Sequence, residues 1–165
     1  MRLKPISVEA IPGAIEKAKH YRLLNEPSAS ESVCRDILRV EPKHQEALVI
    51  LILAMCDQIG RGYRLSADPV SEVIERLESE YERAYYTGIS HERRALASLR
   101  SGPPGAEFMA YDCLRDAMAC YEAAERMAPA KNNDAILRWN TCARLIERNR
   151  LVPRPGDEGG PLFGE

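Results

Sequence analysis

Apolar residues in this chain recur three and four positions apart, and proline and glycine cut the pattern into lengths suited to helices. The first stripe is Ile11, Ala14, Ile15, Ala18 and Tyr21. A second follows Pro27, with Val33, Cys34, Ile37, Leu38 and Val40 on one face and Glu31, Arg35, Asp36 and Arg39 elsewhere. Both predict amphipathic helices. The third segment, residues 43–60, holds an unbroken apolar run between Glu46 and Asp57, and Gly60 suits a left-handed helix stop. A run of ten apolar residues is too short to span a bilayer, which takes about 20 as a helix. Val49, Ile50 and Ile52 would suit a strand. No second strand-like segment exists to pair with it, and a lone strand would leave its backbone groups unsatisfied in the core. The run is therefore read as a helix, and one that is apolar all round belongs at the centre.

After a loop at residues 60–67, Asp68 is placed to cap a fourth helix, with Pro69 in its first turn. Val70, Val73, Ile74, Leu77, Tyr81, Ala84 and Tyr85 trace its stripe, and Glu72 and Arg76 stand at i, i+4. Gly88 separates it from a short fifth helix over residues 90–100, with Leu96 and Leu99 inward and His91, Glu92 and Arg94 outward. Gly102, Pro103 and Pro104 end that helix. A sixth covers residues 106–128, with Phe108, Leu114, Ala117, Met118, Tyr121 and Ala124 on its apolar side, and Pro129 closes it. The seventh, capped by Asn132 or Asn133, aligns Ile136, Trp139, Ala143 and Ile146. The last fifteen residues hold four of the ten glycines and three of the eleven prolines, so 151–165 is expected to be a disordered tail. The fold class is all-α, with about seven helices in one domain over residues 1–150.

Composition narrows the function classes. A net charge of −2, with 29% charged residues, gives no global attraction to nucleic acid or to an anionic membrane. Residues 1–5, Met-Arg-Leu-Lys-Pro, lead into a polar segment with no apolar core of a secretory signal, which predicts a cytoplasmic location. Cys34, Cys56, Cys113, Cys120 and Cys142 include no C-x-x-C pair and fall on apolar helical positions, as small buried hydrophobes do. No G-x-S-x-G, H-E-x-x-H or P-loop occurs, so no enzyme activity, cofactor or metal is expected. Glu41-x-x-His44 has di-iron spacing but occurs once, beside Pro42, and is read as an exposed loop. Glu16 and His20 stand at i, i+4 and can pair on a helix surface. Arg93, Arg94 and Arg100 lie near Tyr85 and Tyr86, a pattern for single-stranded nucleic acid that the interspersed acidic residues disfavour.

Helices in alternation with short connectors call for a repeat search. Ser30-x-x-x-Cys34-x-x-Ile37-Leu38-x-Val40-Glu41-Pro42 resembles the second helix of a tetratricopeptide repeat. Ala117-x-x-x-Tyr121-x-x-Ala124-x-x-Met127-Ala128-Pro129 is more similar still, with the family's small, aromatic, small and proline positions filled. Ala18 and Tyr21 match the preceding first helix, and Ala47, Leu48, Leu51 and Met55 the next. Pro42 and Pro129 are 87 residues apart, against about 68 for two ideal repeats, so the middle carries inserted loop and helix. The resemblance implies about three antiparallel helix pairs plus a capping helix in a short right-handed superhelix. A compact helical bundle is the other architecture these helices allow.

The resemblance also implies a groove lined by the first helix of each pair, holding a protein or peptide. Carboxylate-clamping members carry cations there; the matching positions are Ile15, Glu16 and Lys19, then Val49, Ile50 and Leu53, so the third helix has no cation to offer. The partner-binding candidates on the matching faces are Lys19 and Arg22 on the first helix and Arg138, Thr141 and Arg144 on the last, suited to an acidic or polar partner. In the alternative reading the helices bury one another, as a structural protein or homodimer, and the tail ending at Glu165 makes the interaction.

Overall fold

The computed structural model describes residues 1–60 and 69–155. After a single 3-10 turn, Val8–Ala10, the helices are α1 Ile11–Leu23, α2 Pro27–Val40, α3 Gln45–Asp57, α4 Pro69–Ile74, α5 Glu80–Ser101, α6 Ala106–Met127 and α7 Asp134–Asn149. Among the described residues there is no strand. Short connectors turn the chain back on itself, so α1, α2 and α3 pack in succession, as do α5, α6 and α7. The apolar run is α3, as expected. It touches α1, α2, α4 and α5, and eight of its residues are buried, including Leu48, Leu51, Ile52 and Met55. His44 is no exposed loop residue: it caps α3, its Nδ1 accepting from the Ala47 amide at 3.2 Å, which satisfies one of the open donors of the first turn. Gly60 has φ +85°, the left-handed conformation predicted for it.

The centre departs from the expected boundaries. The stripe read as one helix to Tyr85 breaks after Ile74, and α5 starts afresh at Glu80. Ser79 caps it, accepting from the Glu82 amide at 3.2 Å. Side chains satisfy the backbone of the break. Gln45 Oε1 accepts from the Glu78 amide at 2.9 Å, and Arg83 Nη1 donates to the Leu77 carbonyl. Arg76, instead of serving an i, i+4 pair, donates to the Pro42 carbonyl at 2.7 Å. The stripe still faces the core: Val70, Val73, Ile74 and Leu77 are buried, and Tyr81, Ala84 and Tyr85 of α5 are half-buried against it. The expected cap Asp68 and the loop before it lie outside the described residues.

Gly88 does not end a helix; it lies inside α5. A Cβ there would stand 2.5 Å from Tyr121 Cε1, so glycine lets α5 and α6 approach with the Tyr121 ring between them. Crowding that ring costs about 1–3 kcal/mol, while alanine in a helix returns about 1 kcal/mol over glycine. Gly88→Ala is therefore expected to lose up to about 2 kcal/mol in urea unfolding, and a gain in stability would show that the ring is free to move aside.

α6 keeps its predicted span, and Pro129 follows its end. On α7 the buried face is set by Ala135 and Cys142, which rotates Ile136 out to 37% exposure. The thiols are not joined in disulfides, and burial pushes Cys34 and Cys142 up to about 12, as inert core groups. Leu151, assigned to the tail, is buried against the core, and residues 156–165 lie outside the described residues. No described helix is long and apolar enough to cross a membrane.

Candidate functional site

Of the odd-numbered helices, α3 touches both α1 and α5 as well as its neighbours in sequence. Along them runs a chain of charges. Arg22 of α1 donates to Asp57 Oδ2 of α3 from Nε at 2.9 Å and from Nη2 at 2.8 Å. The other oxygen, Asp57 Oδ1, faces Arg93 Nη2 of α5 at 3.7 Å. One residue earlier on α5, Glu92 turns the other way. Its Oε2 accepts from the Tyr121 hydroxyl of α6 at 2.8 Å and its Oε1 from Arg138 Nη1 of α7 at 3.1 Å. Adjacent residues of α5 thus tie it to α3 on one side and to α6 and α7 on the other.

Burial differs along this chain. Arg22, Asp57 and Arg93 are partly exposed, whereas Glu92 is 2% exposed and depends on its two donors. Burial, and then the carboxylate at its hydroxyl, hold the Tyr121 phenol protonated well above the ordinary tyrosine range. Burial alone would lower Arg138; the Glu92 charge and a hydrogen bond with Tyr85 outweigh it and raise the net value. Tyrosines surround the pair. Tyr81 and Tyr85 stack at 5.8 Å, Tyr85 meets Tyr86 edge-on at 5.2 Å, and Tyr121 lies 5.8 Å from Tyr85. Asn132, in the connector before α7, donates to the Tyr81 hydroxyl of α5 at 3.1 Å, and Trp139 of α7 donates to Glu122 of α6 at 2.9 Å, so the connector is tied to α5 and the helix to α6.

The five residues chosen from sequence do not form one cluster. Lys19 is held between Glu16 at 2.8 Å and Glu46 at 2.7 Å, so Glu16 pairs with Lys19 and not with His20. Arg22 and Arg138 are the two ends of the charge chain. Thr141 donates to the Leu137 carbonyl of its own helix at 2.9 Å, and Arg144 is exposed. Glu92, expected outward, is instead the buried link. The arginines of α5 disperse: Arg93 faces Asp57, and Arg100 donates to the Leu96 carbonyl of its own helix at 3.3 Å. Asp57, Arg93 and Tyr121 join the site only in the fold, because their partners are 29 or more residues away.

Chemically the arrangement offers directional donors and aromatic faces. With Arg22, Arg93 and Arg138 against Asp57 and Glu92 its charges nearly cancel, so it favours hydrogen bonding over bulk electrostatic attraction. No group of three or more His, Cys, Asp or Glu among the described residues could hold a metal. No known protein family, curated protein or solved structure matches the chain.

Proposed function

We propose that this chain is a non-catalytic, tetratricopeptide-like interaction module that holds an extended peptide across the faces of α1, α3, α5 and α7. The observation that carries this reading is the chain of charges from Arg22 through Asp57, Arg93 and Glu92 to Arg138, which meets each of these helices in turn. A carboxylate-bearing peptide competes best at Arg93, whose 3.7 Å contact is the longest in the chain. The alternate-helix contacts and the filled family positions at Ala18, Tyr21, Ala117, Tyr121 and Pro129 support stacked pairs. The six-residue α4 makes the second pair the short one.

The test is affinity capture from the native source with three forms: the whole chain, a chain ending at Pro155, and Arg93→Ala combined with Arg144→Glu. The shortened chain is expected to retain its specific partners and the charge variant to lose them. Loss of every specific partner on shortening would transfer the function to the tail, and retention by the charge variant would remove this face as the site.

A further inference from the structure

At the N-terminal edge of the helix array an open cavity of about 490 Å³ lies between α1 and α2. Its lining is small and apolar at Ile6, Ala10, Gly13, Ala14 and Val33, with two charges, Lys17 and Asp36. Nothing lies within 4 Å of the position a Gly13 Cβ would take, so the face is open at its centre. The same segment carries two apolar side chains pointing into solvent, Leu3 at 64% and Val8 at 55% exposure.

We infer that this edge is a self-association surface and that its occupant is a second copy of the chain. An isologous two-fold interface needs one patch that is complementary to itself. This patch offers both halves of each contact: a recess lined by small residues, exposed Leu3 and Val8 in the segment that carries Ile6, and one cation with one anion. Two-fold pairing sets Lys17 of each copy against Asp36 of the other. Neither is engaged in an ion pair within its own chain among the described residues. Small residues at Ala10, Gly13 and Ala14 allow the two α1 helices to cross near the short end of the usual packing distance, about 8–10 Å. A small-molecule site would need several converging polar groups, and an acidic or basic peptide would meet one charge of its own sign. The inference concerns a different surface from the charge chain and does not depend on it.

Sedimentation velocity over a wide concentration range tests it. The wild-type chain is expected to form a dimer. Gly13→Trp, which fills open space in the monomer, is expected to stay monomeric with an unchanged circular dichroism spectrum and thermal midpoint. Lys17→Glu and Asp36→Lys are each expected to weaken the dimer about tenfold, and their combination in one chain to restore it. A wild-type chain that is monomeric throughout, a Gly13→Trp chain that still dimerises, or a combined variant as weak as the single ones would overturn the inference. The last outcome would assign the recess to a different partner.

Discussion

Arg138→Ala is expected to cost about 2–3 kcal/mol of folding stability, and adding Glu92→Gln is expected to return about half of that loss. Removing one partner of a buried ion pair usually costs about 3–5 kcal/mol, because the other charge stays behind without compensation. Here the two sides are unequal: the Glu92 side chain is 3% exposed and that of Arg138 36% exposed. Water can replace part of the lost guanidinium, which lowers the expected cost to the smaller range. Glutamine keeps the shape of Glu92 and still accepts from the Tyr121 hydroxyl, but it has no charge to leave uncompensated. The second substitution therefore improves the first. Urea unfolding of the four members of the cycle reads this directly. If the double variant loses as much as the two single losses added together, Glu92 is not a buried charge and the link between α5 and α7 is not what fixes the last helix.

That link was hidden in the sequence for a physical reason. Glu92 has Arg93 and Arg94 beside it and reads as one of a solvated set, and its partners are 29 and 46 residues away. Glutamate is almost never fully buried unless paired, and a single sequence does not display the pairing. Local signals were more legible. The spans of α1, α2, α3, α6 and α7 follow from apolar spacing and proline placement, and α3 reads as a helix because no strand exists to pair with it. Gly88 misled because glycine carries two meanings: it marks a turn, and it also allows close approach, which here depends on Tyr121 in another helix. The break before α5 did leave a readable signal. Ser79-Glu80-Tyr81-Glu82 has the capping-box pattern of a helix start, and it lay inside an apolar stripe continuous enough to conceal it.

Leu51→Ala is expected to cost about 2–5 kcal/mol, the range for a buried leucine cut to alanine. Leu51 is 1% exposed at the middle of the one helix that touches α1, α2, α4 and α5, so four helices would have to shift to close the gap. Such a site relaxes poorly, which favours the upper half of the range, because the penalty grows with the volume that stays empty. Leu53, two residues on and only half-buried, is the control: its truncation removes less buried surface and is expected to cost less than Leu51→Ala. Equilibrium urea unfolding with an unchanged dependence on denaturant separates a loss of stability from a change in compactness. A loss under about 1 kcal/mol at Leu51 would mean that α3 is not enclosed in solution. Its apolar face would then be accessible to a partner, and the peptide-holding surface would move from the charge chain to α3 itself.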